Sequence, residues 1–141
     1  MKHLLYLSTL ALVLFCFNQQ SFAQEMQGNV FVVTNFERAF PENGSMKELD
    51  SLSNVYMSSQ YKGNEYVVSY KTLTHWWGHN NRDFIQVLEV KSWDDITKAY
   101  DKGDELLMKA MPNKSDREKF WKAYSKYFTG KHSDEIYREV K

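Results

Sequence analysis

Asn29-Val30-Phe31-Val32-Val33-Thr34-Asn35-Phe36 is β-branched or aromatic almost throughout, and its apolar side chains sit at consecutive positions instead of alternating with polar ones. That pattern predicts a strand buried on both faces. Asp83–Val90 repeats it, with Phe84, Ile85, Val87, Leu88 and Val90 divided between the two sides. Glu65–His75 reads as a strand too, with Tyr66, Val68 and Tyr70 on one side and Val67, Ser69 and Leu73 on the other. Trp76-Trp77-Gly78-His79-Asn80-Asn81 connects it to Asp83–Val90, and the two pair most simply as an antiparallel hairpin.

Helices fill the intervals. Pro41-Glu42-Asn43-Gly44 is a turn, and Ser45-Met46-Lys47-Glu48 has capping-box spacing, the hydroxyl and the carboxylate each able to satisfy a free N–H. Met46, Leu49, Leu52, Tyr56 and Gln60 then follow one helical face, and Gly63-Asn64 ends the run. Ser92-Trp93-Asp94-Asp95 opens a second helix, its acids favoured at the positive end of the dipole. Trp93, Ile96, Tyr100, Gly103, Leu107 and Ala110 carry its periodicity to Pro112, with Gly103 marking either a close packing contact or a break. Ser115-Asp116-Arg117-Glu118 predicts a third cap, followed by the aromatic stripe Phe120, Tyr124, Tyr127 and Phe128 and a stop at Gly130. His132–Val140 fits either a helical turn or an edge strand, and the strand is the reading adopted.

The order β-α-β-β-α-α-β is that of an α+β, ferredoxin-like split βαβ arrangement, an antiparallel sheet with helices on one face. Helices cover one face only, while the first and third strands are apolar on both. A second copy packed sheet against sheet buries the remainder, so a homodimer is expected. With this order, the His75-Trp76-Trp77-Gly78 turn and the Asp94-Asp95-Ile96 helix start, the chain resembles the dimeric α/β-barrel superfamily from about Gly28 onward. Its ending, His132-Ser133-Asp134-Glu135-Ile136-Tyr137, is similar to that of exported members without an assigned role. The superfamily includes cofactor-independent monooxygenases, small stress-responsive barrels and haem-handling proteins. The resemblance implies a fold, and no functional residue is carried over from it.

The N-terminus reads as an export signal. Lys2 and His3 precede the apolar run Leu4–Phe17, and Ser21-Phe22-Ala23 places small residues where a signal peptidase inspects them, so cleavage is expected before Gln24. The run is short for a membrane span and ends in Asn18-Gln19-Gln20. Lipid attachment at Cys16 is disfavoured by the bulk of Phe15. Gln24–Lys141 is therefore expected as one domain, secreted or periplasmic, free of the membrane. Cys16 is the only cysteine and leaves with the leader, so the remainder has neither disulfide nor thiol nucleophile. Eighteen basic residues balance 18 acidic ones, and the two signs are interspersed. Nucleic acid, which needs a clustered cationic face, is not an expected partner.

Aromatic residues make up 16% of the sequence, enough to line a pocket as well as fill a core. A cavity between sheet and helices is where this architecture would hold a small apolar or aromatic molecule. Asn35, His75 and Tyr124 are the polar groups expected to face it. Trp76 and Trp77, being adjacent, point to opposite faces of an extended segment, one into the core and the other toward the second copy; alternatively they form a lid. His75 and His79 are four apart, but the Trp-Trp-Gly between them argues for a turn and against a helical zinc site. His132 completes the only set of three histidines outside the leader, and metal or haem binding through it is the minority reading. The chain has no Gly-x-Ser-x-Gly elbow, phosphate loop or dinucleotide fingerprint, so no cofactor is expected. An oxygenase or isomerase working without a cofactor is the alternative to simple binding. The candidate site residues are thus Asn35, His75, Trp76, Trp77, His79, Tyr124 and His132.

Overall fold

The computed structural model describes residues 28–140, so the leader, its cleavage site and Lys141 lie outside the described residues. The chain runs β1 (Val30–Arg38), α1 (Met46–Tyr61), β2 (Val67–Thr74), β3 (Asp83–Val90), α2 (Asp95–Ala110), α3 (Lys114–Ser125) and β4 (Phe128–Arg138). The strands form one sheet in the order β2-β3-β1-β4, every neighbouring pair antiparallel. This is the expected α+β ferredoxin-like arrangement, and the strand reading of the C-terminal segment holds, with β4 beginning at Phe128.

Register separates the two faces of the sheet. Val30, Val32 and Phe36 on β1 stand beside Val90, Leu88 and Phe84 on β3 and face the helices. Phe31, Val33 and Asn35 stand beside Glu89, Val87 and Ile85 on the other face, where no helix lies. The helix-facing set is buried except for the half-buried Phe36, and the outer set is half-buried, so both faces carry apolar side chains as expected and only one is covered by the described residues. In β2 a bulge between Val67 and Ser69 breaks the predicted alternation. It brings Val67 to the helix side with Tyr70, where both pack on the core, and leaves Val68 exposed. An extra residue in one strand shifts every side chain before it to the opposite face.

At the start of α1, Ser45 Oγ accepts the Glu48 N–H at 3.1 Å, half of the predicted capping box. The other half is relayed: Ser45 N–H donates to Tyr127 Oη at 2.9 Å, and that hydroxyl donates to a Glu48 carboxylate oxygen at 2.6 Å. Glu48 also takes Lys126 Nζ at 2.8 Å, which ties the chain after α3 to the head of α1. These bonds hold the Glu48 carboxyl below the usual carboxylate range, the Lys126 bond acting most strongly and Tyr127 next. At the tail of α1, buried Asn64 donates to Ala99 O at 2.8 Å and accepts the Tyr66 N–H, joining α1 to α2.

Two predicted helix starts move, the first from a cap at Ser92 to one at Asp94, so that α2 begins at Asp95. The third helix begins at Lys114 with Asn113 as its cap, so Ser115 lies inside it; the Asn113 carbonyl accepts from both Asp116 and Arg117. Gly130 is not a helix stop but sits in β4, at φ 87°, opposite the irregularity in the β1–β4 pairing. There a residue with no Cβ adopts the left-handed conformation without strain.

Gly103 lies in the unbroken run of α2 and is buried against α1, which decides between the two readings in favour of a packing contact. A Cβ built there meets Gln60 and Tyr61 atoms at 3.5 Å, an ordinary contact distance. Gly103→Ala is therefore expected to stabilise the protein by up to about 1 kcal/mol through helix propensity and a less flexible unfolded chain. Urea denaturation should show a higher midpoint with an unchanged slope; a lower midpoint would show that the α1–α2 contact has no room for a methyl group.

Candidate functional site

The core is two clusters rather than one. Val30, Val32, Met57, Tyr61, Leu88, Val90 and Ala99 form the first, and Leu49, Phe84, Tyr124 and Tyr127 form the second. Tyr56 packs against both. Between them a row of polar side chains crosses the helix-facing side of the sheet. Thr72 is paired with Gln86, Gln86 with Thr34 and Thr34 with Asp134, one residue from each strand.

Each member of the row is hydrogen-bonded. Thr72 Oγ1 lies 3.2 Å from Oγ of buried Ser53 on α1. Gln86 Nε2 donates to Tyr124 Oη at 3.0 Å. Thr34 Oγ1 donates to Asp134 Oδ1 at 2.7 Å. Buried polar groups require such partners, and apolar side chains from the helices cannot close over the row without desolvating it.

A cavity of about 180 Å³ occupies the seam. Thr34 and Gln86 of the row form its floor, Val32, Leu88 and Met57 one apolar wall, and Tyr56, Tyr61 and Tyr100 an aromatic one. His132 and Asp134 complete the lining from the edge strand, where no helix covers β4 and both side chains are about half exposed. His132 Nε2 is 3.4 Å from Asp134 Oδ2, and its ring lies 5.6 Å from that of Phe36. The arrangement is a chamber of mixed polarity, with aliphatic and aromatic walls, an amide and a hydroxyl at its base and an imidazole–carboxylate pair at its mouth. It can hold a planar apolar body and orient one polar substituent, and the pair at the mouth can donate or take up a proton.

Burial pushes the phenols of this region up from their ordinary pKa. Tyr124 is raised to about 12. Tyr56 and Tyr61 are raised also by burial. Tyr100 is raised by burial first and then by the charge of Asp134. All four shifts favour the neutral phenol over the tyrosinate.

Of the seven sequence candidates, His132 lines the cavity and Tyr124 stands behind it, holding Gln86 in place. The others lie elsewhere. Asn35, one position from Thr34, is turned to the outer face, where its amide donates to Asp83 at 3.3 Å. His75 follows the end of β2, its backbone N–H on Asp83 O and its Nε2 buried without a partner among the described residues. Trp76 and Trp77 are 97% and 90% exposed, so neither enters the core; with exposed His79 they form the tip of the β2–β3 connection. Among the described residues no group of three metal-ligating side chains stands close enough to hold an ion. The only sequence signal for Thr34 and Gln86 is that each interrupts an apolar run, Val30–Val33 before Thr34 and Phe84–Leu88 around Gln86. Tyr56 and Tyr100 carried the right helical spacing but read as core.

In sequence the chain matches no family model and no curated protein. In structure it is similar to a candidate antibiotic biosynthesis monooxygenase from Bordetella bronchiseptica, with 8% identity over 81% of this chain and 99% of that one and a TM-score of 0.52. It is likewise similar to a dabb family protein with a ferredoxin-like fold from Mesorhizobium loti, at 11% identity over 82% and 100% of the two chains and a TM-score of 0.51. A third likeness is to SnoaB, a cofactor-independent oxygenase from Streptomyces nogalater, at 10% identity over 81% and 95% and a TM-score of 0.50. At these identities the likeness is one of fold. That fold is the ferredoxin-like one, as the order of elements in the sequence implies.

The raised phenols make stability depend on alkaline pH. Above the ordinary tyrosine value of 10.0, and up to about 12 for Tyr124, the unfolded chain has released protons that the folded protein still holds. Folding is thus penalised as pH rises through that window. Tyrosinate absorbance and circular dichroism followed together should show part of the tyrosine set ionising only as the fold is lost, with a weaker pH dependence in Tyr124→Phe. Full ionisation near pH 10 with the fold intact would contradict the buried-phenol cavity.

Proposed function

We propose that this chain is an exported binding protein, released by cleavage before Gln24, that holds a small apolar or aromatic molecule in the seam between sheet and helices and works as a homodimer. The observation that carries the reading is the seam cavity: a space walled by aromatics, floored by Thr34 and Gln86, and reached from β4 past His132 and Asp134. A second reading, a cofactor-independent oxygenase or isomerase, is favoured by the His132–Asp134 pair at the mouth and by what two of the structural neighbours are named for. In that case the pair handles the proton and the chamber excludes water.

Binding is tested with tryptophan fluorescence against a set of planar apolar ligands. Trp121 touches Tyr56 and Tyr124, with ring centroids 5.2 and 6.2 Å away, and reports on the cavity. A bound ligand should change the emission of the wild-type protein, and Gln86→Leu should weaken binding of ligands bearing a polar group by roughly tenfold while sparing purely apolar ones. Ligands that perturb neither Trp121 emission nor the thermal midpoint would sink the binding reading. If instead a ligand is turned over, His132→Ala should cost at least about tenfold in rate.

The dimer is motivated by the outer face. Phe31, Val33, Ile85 and Val87 lie there half-buried, with Leu73 and Tyr137 exposed at 48% and 55%. A contiguous apolar face of this kind is seldom left in water. Sedimentation at micromolar concentration should give a dimer for the wild type and a folded monomer for Val87→Asp, whose side chain faces away from the helices. A wild-type monomer with a fully folded spectrum would overturn this part of the proposal.

A further inference from the structure

Arg38 closes β1 and is only 5% exposed, yet among the described residues no carboxylate pairs with it. One guanidinium nitrogen donates to the Asn81 carbonyl. Nη1 has only the Met46 thioether, at 3.0 Å, and Nε is buried without any acceptor among the described residues. A thioether is a weak acceptor, and a buried cation left without a counter-charge is costly. The environment is cationic in other ways as well. The Phe40 ring carries the Arg38 guanidinium at 5.2 Å and that of Arg82 at 5.7 Å. Ser45 and Met46, the cap and first residue of the sixteen-residue helix α1, stand in the same wall, so the positive end of its dipole is directed here. The nearest acid of that turn, Glu48, is already taken by Lys126 and Tyr127.

Beside Arg38 lies a pocket of about 190 Å³ whose other walls are apolar: Phe40, Pro41, Met46, Leu49 and the Tyr127 ring. A dry cavity of comparable size holds a benzene-sized body. We propose that this pocket is a second binding site, separate from the seam cavity, for a small monocarboxylate with an apolar body about the size of a phenyl ring. The carboxylate replaces the Met46 thioether on the Arg38 guanidinium, and the body packs between Phe40 and Leu49. Met46, 43% exposed and flexible, is the side chain that yields. The proposal does not rest on the function assigned to the seam cavity.

The two cavities are distinguished by one probe set, because Met46 lines the second site and Met57 the seam. In protein with methyl-13C methionine, sodium benzoate should shift the Met46 methyl resonance saturably and leave that of Met57 in place, while the neutral isostere benzamide should move neither. Arg38→Met should weaken benzoate binding by at least roughly tenfold, the worth of a charge-assisted hydrogen bond. Met46→Glu provides a control that does not depend on that variant folding. It supplies the missing carboxylate from within the chain, at a helix position that favours acids, so it should raise the thermal midpoint and abolish benzoate binding measured by calorimetry. The proposal is overturned if benzamide moves Met46 as much as benzoate does, if benzoate moves only Met57 or neither methyl, or if Met46→Glu binds benzoate undiminished.

Discussion

Thr72, Gln86, Thr34 and Asp134 stand side by side across the four strands, and the position of this polar row decides where the core is interrupted. A sheet face under helices is ordinarily closed by apolar side chains. Here four polar groups in register would each lose a hydrogen-bonding partner if it were. The chain answers by sending Ser53 and Tyr124 down to meet the row from above. On either side the apolar residues gather into separate clusters, and the space left at the seam is the cavity. Shift β1 by one residue against β3 and Thr34 would change faces, taking the cavity floor with it.

The coverage of the sheet determines how that cavity opens. The helices pack over β2, β3 and β1 and leave the inner side of β4 in solvent, so His132 and Asp134 are at once cavity lining and surface. The edge strand therefore supplies the charged, solvent-facing mouth of the chamber. At the opposite end, Tyr127 joins the cap of α1 to the turn after α3 through Ser45 and Glu48. This fixes the aromatic residues of α3, including Tyr124, relative to the helix they pack against. The Tyr127 ring of the same turn also walls the pocket beside Arg38.

Local chemistry was legible where it acts over a few residues. Asp83–Val90 occupies the limits its apolar run implied, Ser45 caps α1 as its spacing with Glu48 implied, and the C-terminal segment is a strand. Misreadings arose where a distant partner decided. The bulge at Val68 follows from how β2 must lie on β3. Asn113 caps α3 in place of Ser115 because the chain leaving α2 already turns there. Trp76 and Trp77 looked like packing residues by type, but the hairpin connection projects beyond the sheet and places both in solvent.

By itself the sequence determined the class of fold: the spacing of apolar residues, the capping serine and the order of elements leave an antiparallel sheet with helices on one face as the consistent solution, with a second apolar face remaining. Its aromatic content also implied that a cavity between sheet and helices would be lined by aromatics with a few polar groups. Only the tertiary structure decided which polar groups those are. Thr34 and Asn35 are neighbours of similar character in one strand, yet strand alternation sends the first into the cavity and the second to the outer face. Which of the two faces is the covered one depends on where α1 and α2 come to rest, a property of the whole chain that no window of a few residues contains.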